Sequence, residues 1–577
     1  MRSLLPPVLA LAELLTAGCR MNDPAFRIDD TVVHIAATSD VHGMIFPYDF
    51  IQRERADHSL AHVYSYASKQ RQSRDTLFFL LDNGDFLQGQ PSVYYYNDVD
   101  TASVHLAARV MNFMGYDAGT TGNHDIEAGP EVYNRIREQF NFSWLAANAV
   151  DAGTGDPFFE PYTVLKAGRR KIVVLGLVTP GIPRWLPRTL WPGMEFLDMV
   201  ETAREWVPRI MEKEKPDLMV GLFHSGLDPS YGNYPETFLN ENASLLVARE
   251  VPGFNLVFAG HDHRASVQWV ENVAGDTVLL VNPGSHARYA GEVTVRFRQR
   301  GPAVISGSLV NMKDYAPSEE FLERFDESFR IVTGYLDDTV TWLNSNLTAL
   351  DGLFGPSGIT SLIHRVQLDL SEATISLTAP LSITADLEKG PLLVSDLFRL
   401  YRYENLLYRM ELTGEEIDGF LEFAAGNWFT TMTGPGDHLL LFDKGSIDRP
   451  RLANPYFNFS SAAGIDYRID VTRPPGDRVD IIGLSDGTPF ETSRNYGVAI
   501  NSYRGSGGGG HLTRGSGIPA SELQERISWT SEHDLRRYML ESLSEADTLY
   551  PVKLDNWEIL PAHWVRMAAA RDRKLLQ

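Results

Sequence analysis

Across 577 residues there is one cysteine, Cys19, so no disulfide can form within the monomer. Basic residues are also short in number: 52 Lys and Arg stand against 75 Asp and Glu, a formal net charge of −23. Such a surface repels polyanions and argues against a nucleic acid as partner. An anionic small substrate could still bind if local cations overcame that field, and bound metals would do so. Beyond the N-terminus no run is long and apolar enough to cross a membrane. There are no repeats of solenoid period, and no low-complexity tract other than the glycines at 507–510. What is present is ordinary for a globular protein, 43% hydrophobic and 22% charged residues. The length exceeds what one core supports, so at least two domains are expected.

Met1-Arg2 is followed by apolar residues 4–15 and by Thr16-Ala17-Gly18 before Cys19, the pattern of a secretory signal. Small residues directly before a lone cysteine resemble a bacterial lipoprotein signal. Residues 1–19 are therefore expected to be a lipoprotein-type signal, with a lipid anchor at Cys19 as the sole membrane contact and residues 20–30 as spacer. That places the protein outside the cytoplasm, in the periplasm or at the cell surface.

From residue 31 apolar strands alternate with amphipathic helices. Strands are expected at 31–37, 76–81, 171–177, 217–223 and 256–259, and helices at 61–70, 102–114, 200–213 and 242–250, with further helices at 360–370, 415–425 and 532–544. The alternation implies an α/β domain with helices flanking its sheets. Polar clusters fall just past the carboxyl ends of the strands, where such folds place their sites. They are Asp40-Val41-His42, Asp82-Asn83-Gly84-Asp85, Gly122-Asn123-His124-Asp125-Ile126-Glu127, His224-Ser225-Gly226 and Gly260-His261-Asp262-His263. Gly122 lets the backbone turn, so a loop is expected to present Asn123 and His124.

These side chains offer oxygen and imidazole donors without thiolate, which suits catalytic Mn, Fe, Co or Zn. Seven ligands exceed one coordination sphere, so two divalent ions are the economical reading. Asp40, His42 and His263 would hold one ion, Asn123, His224 and His261 the other, and Asp85 would bridge them. Asp82 and Asp262 read as orienting neighbours. His34, His62, His105, His364 and His533 lack such company and read as ordinary structural or surface residues.

The motif order resembles the calcineurin-like metallophosphatases. More narrowly, Ala259-Gly260-His261-Asp262-His263, Asn242-Ala243-Ser244 and the downstream sequence resemble the bacterial 5'-nucleotidase, UDP-sugar hydrolase and cyclic-nucleotide phosphodiesterase family. That resemblance implies a four-layer α/β/β/α metallophosphatase domain (31–300), a linker with a connecting helix (301–351, the helix at 318–343) and an α/β C-terminal substrate-binding domain (352–577). It implies hydrolysis of nucleoside 5'-monophosphates to nucleoside and phosphate by a metal-bridged hydroxide. 2',3'-Cyclic nucleotides, UDP-sugars or another phosphoester are the alternative substrates. His124 would stabilise the transition state or protonate the leaving oxygen. Glu127, at the place of a family Asp, would orient it, with Asp125 the next candidate.

In the family two aromatic rings sandwich the base, and Phe457 and Tyr503 resemble them. The carboxylate that often follows the second aromatic is absent, since Gly507-Gly508-Gly509-Gly510 stands there. The family's phosphate-binding arginine segment is replaced by Thr378-Ala379-Pro380-Leu381-Ser382. Arg399, Arg402 and Arg504 are the candidate substitutes, with helix-surface salt bridging the competing account of the first two.

Overall fold

The computed structural model describes residues 31–227, 240–443 and 451–576. The signal segment and Cys19 lie outside the described residues. In the first domain, runs rich in Val, Ile, Leu and Phe form two six-stranded sheets. One sheet holds β1 (Val32–Thr38), β2 (Thr76–Asp82), β3 (Ala118–Thr120) and β4 (Ser143–Leu145) in parallel order. The other contains β5 (Tyr162–Ala167), β6 (Arg170–Val178), β7 (Leu218–His224), β8 (Leu256–Ala259), β9 (Ser266–Glu271) and β10 (Thr277–Asn282). The chain then returns to the first sheet as β11 (Tyr289–Arg296), antiparallel to β1, and β12 (Val304–Asn311).

Ile35, Leu81, Val174, Val220, Phe258 and Val293 meet between the sheets with no exposed surface. Each side chain of this size buried there contributes about 1.5–3 kcal/mol. The outer face of each sheet is covered by helices, one layer including Leu60–Arg71 and Leu106–Met114, the other Met199–Glu214 and Ser244–Glu250. This is the expected α/β/β/α stack. Its carboxyl-end edge gathers the loops after β1, β2, β3, β7, β8 and β10.

The connecting helix is shorter than its charge and apolar spacing predict. It spans Glu319–Asp337, and Thr339–Leu343 forms a strand instead. The β-branched and aromatic residues of Thr339-Val340-Thr341-Trp342 favour the extended form and pair with Gly390–Leu393. Likewise the helix expected at 532–544 begins only at Leu535, because residues up to Asp534 belong to the strand Ile527–Asp534. Asp534 caps that helix by accepting from the N–H groups of Arg536 and Arg537.

The second domain is a five-stranded mixed sheet ordered Ser461–Ala463, Ile375–Thr378, Asn495–Asn501, Leu406–Thr413, Ile527–Asp534. The helices Gly358–Ser371 and Gly414–Trp428 pack against it. Among the described residues no helix is long and apolar enough to cross a membrane.

Candidate active site

Two groups of donor atoms converge at the carboxyl-end edge, Asp40, His42 and His263 in one and Asp85, His224 and His261 in the other, each with its atoms within 4.8 Å of one another. The spacings test whether a metal fits. Donors around one ion at about 2.1 Å stand about 3.0–3.4 Å apart. His42 Nε2 lies 3.1 Å from His263 Nε2, which lies 3.3 Å from Asp40 Oδ1. In the second group His224 Nε2 lies 3.1 Å from Asp85 Oδ2 and 3.2 Å from Asn123 Oδ1, so Asn123 joins that shell. Both groups have the dimensions of a first coordination sphere.

Backbone carbonyls set the tautomers. His42 Nδ1 donates to the Gln88 carbonyl at 3.1 Å and His224 Nδ1 to the Asn83 carbonyl at 2.7 Å, turning each Nε2 toward the centre. Burial holds His42 neutral, pushing it down to about 4, and His261 down to about 3. Burial raises the Asp85 carboxyl, but His224 and His124 overcome it and hold it well below the usual range. His224, raised to about 9 by Asp85 against burial, carries the proton that an arriving ion would displace.

The loops are strained in a shared way. Asp40, His42, Asp85, His261 and His263 all have positive φ, between 50° and 68°. Such conformations cost non-glycine residues about 1–3 kcal/mol each and persist where surrounding structure over-determines them. Gly122 is required by close approach, since a Cβ there would meet Asp85 Oδ1 at 2.1 Å.

Asn123 and His124 are not presented by a loop. Asn123–Glu127 is one short helix, whose start Asp125 closes by accepting from the Gly122 N–H at 2.8 Å. Helical spacing puts His124 and Glu127 on one face, and His124 Nδ1 bonds the Glu127 carboxylate. Asp125 cannot share that task, because it also accepts from the N–H groups of Asp85, Phe86 and Leu87 at 2.9–3.0 Å. It staples the β2 loop to the helix. The His124 N–H bonds Asp85 Oδ1 at 2.8 Å, and the His124 ring lies 5.4 Å from that of His42. Burial alone would lower the His124 proton affinity; Asp85 and then Glu127 overcome it and raise the imidazole to about 10. The imidazole thus stands beside both donor groups in surroundings that favour its protonated form. Replacing Glu127 by Gln removes one of the charges that hold this proton. The alkaline limb of the kcat–pH profile is expected to move down by about one to three pH units, measured by steady-state rates between pH 6 and 11.

Asp82 and Asp262 fall outside both donor groups. Asp82 accepts from Thr38 Oγ1 and the Gly84 N–H, and Asp262 from the N–H groups of Leu227 and Arg264 and from Asn282 Nδ2. His62, His105 and His364 bond neighbouring polar groups within their own domains.

The family model for calcineurin-like phosphoesterases matches residues 33–265, and that for the 5'-nucleotidase C-terminal domain matches residues 332–514. The chain belongs to the 5'-nucleotidase family of metallophosphoesterases. It is 25% identical to a 2',3'-cyclic-nucleotide 2'-phosphodiesterase/3'-nucleotidase of Haemophilus influenzae, covering 92% of this chain and 88% of the relative. It is also 25% identical to the trifunctional nucleotide phosphoesterase YfkN of Bacillus subtilis, across 97% of this chain but only 41% of that protein's length. The crystal structure of a putative 5'-nucleotidase from Staphylococcus aureus superposes with a TM-score of 0.72, covering 92% of this chain and all of that one, at 21% identity. That likeness speaks to the fold. As a member of this family the chain is a metal-dependent phosphoester hydrolase.

The second domain of this phosphoesterase carries the two aromatics singled out from the sequence. Phe457 lies in the turn Tyr456–Asn458, and Tyr503, 46% exposed, in the short helix Ser502–Gly505 that follows a central strand. Tyr403 packs edge-on to Phe457 at 6.3 Å. Arg402 is exposed, its guanidinium 5.9 Å from the Tyr403 ring centre. Arg399 bonds Asp396 at 3.3 Å, one helical turn away.

Arg504 is not available to phosphate. Its guanidinium is buried and bonds the Gly508 and Phe457 carbonyls, Asn458 Oδ1 and His511 Nδ1. It ties the Phe457 turn to the Tyr503 helix. A Cβ at Gly509, which has φ 71°, would stand 2.0 Å from Arg504 Nη1, so the guanidinium fills the space a side chain at 509 would need. Ser506 Oγ, in the next turn, donates to the Trp185 carbonyl at 3.3 Å, and the Trp185 ring stacks on His261 with centroids 5.4 Å apart. Trp185 and Tyr403 escaped the sequence reading because neither stands in a polar strand-end cluster. His286 escaped it too, although Ser285-His286 lies just past β10 like the other ligand loops.

Proposed function

We propose that the chain hydrolyses nucleoside 5'-monophosphates to nucleoside and inorganic phosphate outside the cytoplasm. The carrying observation is the pair of donor groups at one sheet edge, with His124, fixed by Glu127, adjoining both. Asp40, His42 and His263 would hold one divalent ion, Asn123, His224 and His261 the other, with Asp85 between them; nitrogen and oxygen donors suit Mn, Zn, Co or Fe. Such a pair of ions neutralises phosphate oxygens and supplies an activated water. His124 Nδ1 is engaged by Glu127, so Nε2 is the atom that gives its proton to the leaving oxygen. Phe457 and Tyr503 stack on the base, and exposed Arg402 is the remaining candidate cation on that side. The signal-like start with Cys19 supports the location and a lipid anchor.

A second reading keeps the chemistry and changes the ester. The Haemophilus relative is named for 2',3'-cyclic and 3'-nucleotides, which favours those substrates. Rates on 5'-AMP, 3'-AMP, 2',3'-cyclic AMP and UDP-glucose, measured after Mn reconstitution and again with chelator, separate the two. The highest kcat/KM is expected on 5'-AMP. A cyclic-nucleotide maximum selects the second reading, and no turnover of any ester by metallated protein overturns both.

A further inference from the structure

His286 has no part in the roles above, yet it stands at the metal centre. Beyond β10, Pro283-Gly284-Ser285 turns the chain over the edge from which the ligand loops emerge. The His286 N–H donates to the Asp40 carbonyl at 2.8 Å, pinning its backbone to a ligand loop. Its ring centre lies 5.4 Å from that of His42 and 6.0 Å from that of His263. His286 and Ala287 are consecutive non-glycine residues with φ of 60° and 53°, the strained conformation the ligands share. His286 nevertheless falls outside the donor atoms that converge on either centre. Its Nδ1 sits 2.8 Å from Ser285 Oγ. With that hydroxyl donating to Nδ1, the neutral ring carries its proton on Nε2.

We propose that His286 binds a phosphoryl oxygen of the substrate at the Asp40–His42–His263 shell, by donation from Nε2. A phosphate oxygen offers no proton, so an N–H donor is the matching partner, and a bond to a charged oxygen is among the stronger kinds. This positioning role rests on the phosphoesterase reading.

The test uses His286→Asn, which tolerates the left-handed backbone, and Ser285→Ala, which removes the hydroxyl that sets the tautomer. Metal content per chain, the inhibition constant of inorganic phosphate and kcat and KM on the best ester are measured for each. In His286→Asn, metal content is expected to stay at the wild-type value while phosphate affinity falls about tenfold and KM rises more than kcat falls. Ser285→Ala should shift phosphate affinity in the same direction by less. Unchanged phosphate affinity in both variants overturns the proposal, as does loss of an ion in His286→Asn, which would make the residue a metal holder. Failure of the phosphoesterase reading would show separately, as a wild-type protein that binds metal and turns over no ester.

Discussion

Replacing His124 by Ala is expected to lower kcat by about 10²–10⁴-fold, the range for a removed general acid, while both ions remain bound. The separation follows from geometry. The His124 side chain lies outside both donor groups, on the Asn123–Glu127 helix, with Nδ1 on Glu127. Its backbone N–H supports Asp85, and alanine keeps that bond. Metal analysis and steady-state kinetics on one preparation check both halves. An ester with a good leaving group, which needs no proton, should recover most of the lost rate. Activity of His124→Ala near wild type on an ordinary nucleotide would remove the assigned role.

Replacing Arg536 by Met is expected to cost about 3–5 kcal/mol of stability, the usual consequence of leaving buried acids without their cation. The Arg536 guanidinium lies 3.9 Å from the centre of the Phe398 ring and 4.4 Å from that of Tyr94, a first-domain residue. It bonds Glu404 Oε1 at 3.2 Å and the Tyr401 carbonyl at 3.2 Å, and Tyr94 donates to Asp534 at 3.3 Å. Burial raises Glu404 to about 8 despite Arg536, and raises Asp98, across the domain boundary, to about 7. The sign of the pH dependence follows. Between the ordinary glutamate value of 4.5 and about 8, the folded protein keeps a proton on Glu404 that the unfolded chain has lost, so stability falls as pH rises. Without Arg536 the ionised acids are worse tolerated. The deficit of Arg536→Met should therefore be larger at pH 8 than at pH 5, read from urea unfolding at each pH. Equal deficits would mean that the arginine acts through packing alone.

The candidate metal donors could be read from the chain because each lies within a few residues of a strand's carboxyl end, and strands are visible as apolar runs. The pairing of Glu127 with His124 came from the family resemblance, and the short helix Asn123–Glu127 supplies its geometry. Arg504 was misjudged for the opposite reason. A guanidinium looks the same in a sequence whether it faces substrate or is consumed by four protein groups, and only packing distinguishes them. Charge and apolar spacing persist across the junctions at Thr339–Leu343 and at 532–534, so the helical pattern overruns both strand segments.

The sequence by itself determined the candidate donor set, since it depends on residue types held at short spacing past the strands, while the class of reaction and the two-domain order followed from the family its motifs resemble. The single cysteine also excludes a disulfide within the monomer, and the net charge of −23 argues against a polyanionic partner. The tertiary structure decided that Asp125 staples the β2 loop and that His286 is pinned to the Asp40 loop. It also decided that Trp185 stacks on His261 beneath Ser506 and that Arg536 spans the domain boundary to Tyr94. These are contacts between residues tens to hundreds of positions apart, formed only when the sheets stack and the domains meet, so no local pattern encodes them.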